Sequence, residues 1–410
     1  MIKRTFIYVL GALLCVLQMG CVDDSYRGMI DVEGLVDDVE PQKILMFVGN
    51  SNEITIGTKG HGVVGTDGLD GKIFYVYSFL RGNLDMSYGP TCAENDYTCL
   101  IDASIDDPSS VHGRPVFWNP ETNVVEWAFE AEPLYYPVGE SRGLTYDFFA
   151  YYVDDMDLDN EDFHRSDEAV MIDIEIDGSQ DIMSSVSKPS EEELARGAET
   201  EEEISYRESC SYSYYTAQCG IHPRFIFKHH LVKLDFKLVP GTTSGMTKNM
   251  VVDKIEVVSK NKGQFVVAAM NEDNLGVAFS GDRVPLMLKE ADGSDYIPRE
   301  LSTSVDGTSD GIIDDLGSLL VAPDDEYELL ITLTEKNYIT GEPLPSAPPM
   351  SKTLYLGTEG NLLSFEGGNE YLVTLTIFGQ MDVRVTTELT DWNYGGDYGY
   401  DYDETTRPKG

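Results

Sequence analysis

Six histidines, His61, His112, His164, His222, His229 and His230, are the first place to look for acid–base or metal chemistry. None stands in a nucleophile setting, because the chain has no G-x-S-x-G and no H-E-x-x-H. His229 and His230 open a strand-like run, so their rings point to opposite faces and a shared metal would need a bulge. The pair reads as structural. Acids cluster at Asp154, Asp155, Asp157, Asp159, Glu161 and Asp162. Asp155-x-Asp157-x-Asp159 has the alternating oxygen ligands of the first half of a calcium loop. Asn160 stands where that loop needs glycine, and Ser166 where it needs its last acid. The motif is half made: a weak calcium candidate beside the plainer reading of a solvated acidic loop. Among 72 acids no single carboxylate pair stands out for glycoside hydrolysis. Asp67-Gly68-Leu69-Asp70-Gly71 is a turn signal, not a phosphate cradle. No catalytic constellation emerges, so neither an enzyme nor a cofactor is expected.

The cysteines are more informative. Lys3 and Arg4 precede an apolar stretch, Phe6 to Leu17, of the length used for secretion and too short to span a bilayer. It runs into Leu17-Gln18-Met19-Gly20-Cys21, which resembles a bacterial lipobox. Residues 1–20 are thus expected to be a lipoprotein signal peptide, with Cys21 lipidated and holding the chain to a membrane leaflet. The other reading is ordinary cleavage with Cys21 a spare thiol. Val22-Asp23-Asp24 resembles an export signal for surface lipoproteins; this short motif favours the outer face of the outer membrane, with the periplasmic face as the other reading. Cys15 leaves with the signal, and four cysteines remain, Cys92, Cys99, Cys210 and Cys219. An even number in an exported chain reads as disulfides. Three connectivities are possible, and proximity favours Cys92–Cys99 and Cys210–Cys219. Their spacing does not suit zinc.

The chain has 29 basic and 72 acidic side chains and a net charge of −43. Such a surface repels nucleic acid, which is not expected as a partner.

The elements that must carry these residues are strands. Alternation at period two marks Lys43–Val48, Glu53–Gly57, Ile73–Leu80, Val116–Trp118, Val124–Ala128, Tyr146–Tyr152 and Val170–Ile176. Later, Val232, Leu234, Phe236 and Leu238 share one face, and the same pattern recurs at Tyr327–Leu333, Tyr371–Ile377 and Val383–Leu389. One apolar and one polar face suits antiparallel sheets packed on a core. Between the halves, residues 191–203 hold seven glutamates opposed only by Arg196. This predicts a self-repelling linker over 185–209, with a short helix at most at Glu191–Arg196. The expected architecture is all-β: a tether over 21–39, a β-sandwich over 40–184, the acidic linker, and a second sandwich over 210–395. A Gly/Tyr/Asp-rich tail follows over 396–410. Within residues 392–403, Trp392, Tyr394, Tyr398, Tyr400 and Tyr402 fall on one parity, which suits a strand donated to a neighbour; the glycines there suit a frayed tail instead.

Several segments together resemble one family. Phe225-Ile226-Phe227-Lys228-His229-His230-Leu231-Val232-Lys233-Leu234 is similar to the aromatic, His, Leu, Val, Lys strand of fimbrillin-like surface lipoproteins. Tyr135-Tyr136-Pro137 with Tyr146-Asp147-Phe148-Phe149-Ala150-Tyr151-Tyr152 resembles their central strand. Phe365-Glu366-Gly367-Gly368-Asn369-Glu370-Tyr371 and Leu389-Thr390-Asp391-Trp392-Asn393 resemble their closing hairpin. The resemblance implies two transthyretin-like sandwiches in tandem, a structural or adhesive role in a type V pilus as anchor, accessory, tip or stalk subunit, and no enzymatic activity. It implies other pilus subunits as partners through strand exchange, with a host protein or glycan as a further ligand. In pilus-forming members, a cut after an arginine removes the first strand and a neighbour's strand fills the groove. Here Arg27 precedes every readable strand and residues 28–80 hold no arginine; only Lys59 sits near the expected place. A second reading is a surface glycan-binding lipoprotein, which would need an exposed aromatic platform drawn from Trp118, Trp127 and Trp392.

Overall fold

A computed structural model of the chain describes residues 40–49, 69, 71–82, 99–102, 111–154, 156, 158–243, 247–290, 294–303, 311–337, 339–356 and 364–390. The structure is mostly β, and its strands form three sheets. The first has nine strands: β1 (Phe47–Val48), β2 (Ile73–Leu80), β3 (Cys99–Ile101), β4 (Arg114–Asn119), β5 (Val124–Trp127), β6 (Tyr146–Val153), β9 (Ile182–Val186), β10 (Arg224–Phe225) and β11 (Lys228–His229). Their order is β10-β1-β5-β4-β2-β6-β9-β11, with β3 beside β2. The second has seven: β7 (Phe163–Arg165), β8 (Ala169–Glu175), β13 (Asn249–Ala269), β14 (Gly276–Met287), β15 (Arg299–Ser302), β17 (Tyr327–Lys336) and β18 (Met350–Leu356). The third has four, β12 (Val232–Pro240), β16 (Ser318–Val321), β19 (Glu370–Gly379) and β20 (Asp382–Thr390), in the order β16-β12-β19-β20.

The alternation read from sequence builds the larger core. Leu234, Phe236 and Leu238 of β12 and Val373, Leu375 and Ile377 of β19 meet Leu329, Ile331 and Leu333 of β17 in one apolar cluster. The second and third sheets thus form a sandwich. The first sheet is buried on both faces at its centre. Tyr77 and Phe79 of β2, with Phe149 and Tyr151 of β6, join the sandwich core. Phe74, Val76, Phe148, Ala150 and Tyr152 point the other way into a second cluster. On the sandwich side, Tyr151 stacks on Tyr75 and Tyr77 with ring centroids 5.4 and 6.2 Å apart.

The acidic segment expected to be a linker is folded. It forms α1 (Glu191–Ala195) and α2 (Glu201–Ser209), followed by α3 (Tyr214–Gln218). Ser190 caps α1 in a box with Glu193, and the glutamates crowd the first turns of α1 and α2, where helix ends favour negative charge. Leu194, Tyr212, Tyr214 and Ala217 pack on the second cluster, so this segment covers the free face of the first sheet. The buried Arg207 holds the turn between α1 and α2 by donating to the carbonyls of Leu194 and Arg196 at 3.1 and 2.8 Å, and it pairs with Glu203 at 2.6 Å.

The chain also crosses the expected 184/210 division in both directions. β8 pairs with the far half of β13, and β10 and β11 return to the first sheet. The cause is the length of β13, whose 21 residues outrun β17 and leave an edge for β8.

Candidate functional site: the first strand and the joint behind it

Residues 42–49 are the segment whose pairing bears on assembly. Ile44, Met46 and Val48 alternate and are buried to 2, 1 and 4% exposure. On one flank the Ile44 N–H donates to the Leu134 carbonyl, Tyr136 to Gln42 and Val125 to Met46, all near 2.9 Å. On the other flank the Phe47 N–H donates to Pro223 at 3.0 Å and Gly49 to Phe225 at 2.8 Å, in a parallel pairing with β10. Arg224 closes this flank: its guanidinium lies 5.1 Å from the Phe47 ring centre and donates to the Gly49 carbonyl at 3.2 Å. The segment is therefore an extended run ending in β1, hydrogen-bonded on one edge through residues 42–46 and on the other through Phe47 and Gly49, and apolar on one face. Taking it out would uncover the backbone of 124–136 and 223–225 together with Val125, Tyr136 and Phe225 of the second cluster.

Behind it, at the opposite edge of the same sheet, the expected structural histidines form a joint. His229 Nδ1 lies 2.6 Å from Asp181 Oδ2, with both side chains almost wholly buried. The other oxygen of Asp181 accepts the Ile182 N–H at 2.8 Å. His230 Nε2 lies 2.7 Å from Ser184 Oγ, and its ring centre is 5.4 Å from that of Phe265 on β13. Burial pushes the His230 imidazole down to about 4, against the opposing pull of Asp181. Serine, histidine and acid are close, yet Asp181 contacts His229 whereas Ser184 contacts His230, so these contacts do not line up as a Ser–His–Asp relay. The joint ties β9 and β11 of the first sheet to the sandwich.

The remaining sequence candidates fall as follows. Asp159 caps a short 3-10 turn, with its backbone N–H donating to Asp162 at 2.8 Å. Asp154 accepts from the Tyr152 hydroxyl at 2.6 Å. Asp155 and Asp157 lie outside the described residues, as do Cys21, Cys92, Lys59, Trp392, the strand expected at Glu53–Gly57 and the tail. Cys99 is disulfide-bonded. The expected Cys210–Cys219 disulfide is not formed: the two residues cap the C-termini of α2 and α3 as thiols, and Cys210 Sγ lies 3.0 Å from the Tyr206 carbonyl. Trp118 is buried and donates to Asn123 at 3.0 Å, and Trp127 lies beneath the Arg114 guanidinium at 4.2 Å. Neither offers an open platform for a sugar ring. Among the described residues no helix is long and apolar enough to cross a membrane. Of the strand expected at Lys43–Val48, the structure has Phe47–Val48 as strand and Lys43 as a single bridge to Tyr135, and the parallel partner β10 was not expected.

No family model matches this chain, and neither does any curated protein. Solved structures of fimbrial proteins do match over most of its length. One is a fimbrial protein from Bacteroides vulgatus, 13% identical, with a TM-score of 0.47 over 86% of this chain and 100% of that one. Another is the fimbrial anchor protein Mfa2 from Porphyromonas gingivalis, 10% identical, with a TM-score of 0.29 over 85% of this chain and 98% of that one.

Proposed function

We propose that this chain is a structural or adhesive surface lipoprotein of the fimbrillin-like kind, with units related to transthyretin-like sandwiches. In this reading Cys21 carries the lipid, the outer membrane holds the protein facing outward, and other fimbrial subunits are its partners through strand exchange. The observation that carries the reading is the extended segment at 42–49 that ends in β1, a two-sided fit of the sort that strand exchange requires. Arg27 lies ahead of that strand, and the next arginine is Arg81 at the end of β2, paired with Asp147 at 2.7 Å. A cut after Arg27 leaves the strand in place. The chain therefore keeps its groove filled and serves as an anchor, accessory or tip subunit rather than an extending stalk. Cell fractionation with antibody labelling of intact cells tests this. The protein should pellet with outer membrane, label from outside and keep residues 42–49 in the recovered chain. Recovery as a soluble periplasmic protein would overturn the surface reading, and recovery of a chain beginning after residue 49 would overturn the retained strand.

A further inference from the structure

Sheet edges invite pairing, and this molecule guards most of its edges. β10 and β11 have two residues each, β7 has three and β16 has four. β14 carries Gly281 and Pro285. β18 follows Pro348 and Pro349 and holds Lys352. β20 differs. Among the described residues it is a nine-residue edge strand without proline, glycine or lysine, and its one register irregularity lies at the turn, opposite Ile377 and Gly379. Asp382, Arg384, Thr386 and Glu388 form an exposed row on it. Leu389, on the alternate row with the buried Val383, is 59% exposed.

The sequence of β20 is complementary to itself. Laid antiparallel on a second copy with Thr386 at the two-fold axis, Arg384 stands opposite Glu388 of the second copy, and Glu388 opposite its Arg384. Thr386 meets Thr386 and Asp382 meets Thr390. On the other row Val383 faces Leu389, and Val385 faces Thr387. Opposite charges, paired threonines and apolar residues directly across from one another are the pairs that stabilise antiparallel sheets. Arg384 is already held along the sheet, its guanidinium 4.6 Å from the centre of the Phe378 ring. Among the described residues Glu388 has no basic partner. Each β20 carries one cation and two acids, so the joined edges bring together little of the −43 charge on the chain.

We infer that two copies of this chain associate through β20, in antiparallel register about Thr386, joining their four-stranded sheets into one continuous sheet. The contact is isologous and closes on itself, so it makes dimers and not filaments. It is independent of the lipid and of the first strand, and it goes beyond the proposed function.

Thr386→Cys in the full chain tests the register. Mild oxidation should give a band of twice the mass on a non-reducing gel, while Ser280→Cys on β14 should not. Adding Arg384→Glu to Thr386→Cys sets acid against acid twice and should cut cross-linking about tenfold. Adding Glu388→Arg as well should restore it. These side chains are exposed, and thermal melting confirms that each variant folds. Light scattering on the unsubstituted protein in detergent should show a dimer. A monomer at the highest concentration reached would overturn the proposal. So would Arg384→Glu cross-linking as well as its parent, or failure of the double reversal to restore the band.

Discussion

Severing residues 42–49 from the rest of the chain measures how the first strand is held. Burial of Ile44, Met46 and Val48 is worth roughly 1.5–3 kcal/mol each, an upper estimate. The five backbone hydrogen bonds that clasp the segment add about 0.5–1.5 kcal/mol each. Fixing the backbone of eight residues costs about 1–2 kcal/mol apiece. The gains and the cost are both near 10 kcal/mol, so the balance lies within a few kcal/mol of zero. Covalent continuity is then what keeps the strand in place, because a free peptide also loses translational freedom on binding. The test inserts a site-specific protease site between Asn50 and Thr58 and cuts the folded protein. The released segment should leave on dilution, and a labelled peptide of residues 40–49 should bind in its place. The same peptide carrying Met46→Asp should not bind, since its carboxylate would be buried without a partner. If the cut segment stays through extensive dialysis, or if the emptied protein remains folded yet ignores the peptide, the groove is not an exchange site.

Four further outcomes are expected. Cys21→Ala should move the protein from the membrane to the soluble fraction, and continued membrane association would place the anchor elsewhere. Non-reducing peptide mapping of the exported protein should show Cys99 linked to Cys92, a bond worth about 2–3 kcal/mol on the chain-entropy account, with Cys210 and Cys219 recovered as thiols; a Cys92–Cys210 link would refute local pairing. Arg207→Ala removes the bonds to the Leu194 and Arg196 carbonyls and should make Arg196 an early tryptic site at a cost of about 3 kcal/mol, whereas the parent resists cutting there. His230 is held near 4 against an ordinary 6.5, so the unfolded chain takes up its proton first as pH falls. Its stability contribution is whole above about 6.5 and is lost between 6.5 and 4, by up to roughly 3 kcal/mol, and melting of His230→Gln should lack that part of the acid sensitivity.

What could be read from the sequence was what is local. β12, β17 and β19 declare one buried face by strict alternation, and the core cluster contains the residues that alternation selects, whereas β20 joins it only through Val383 and Val385 and leaves Leu389 exposed. The longest strand did not declare itself, because Lys260-Asn261-Lys262-Gly263 interrupts β13 with what looks like a turn. The structure gives the reason. The register shifts between Lys260 and Lys262, and β14 passes so close that a Cβ on Gly263 would meet the Ala278 carbonyl at 2.9 Å. The acidic stretch misled for a related reason. Its seven glutamates are a sum over residues 191–203, while its fold depends on single positions: Ser190 as a cap, Leu194 as an anchor, and Arg207 reaching back to the intervening turn. At the first strand, the alternation of Ile44, Met46 and Val48 shows that one face is buried. It cannot show that β10 arrives from residue 224 to close the second edge. Side-chain period reports which way a residue faces, but edge pairing uses backbone groups that every residue carries alike. Strand exchange depends on those edges, so the feature that bears most on assembly is also the one a sequence pattern records least.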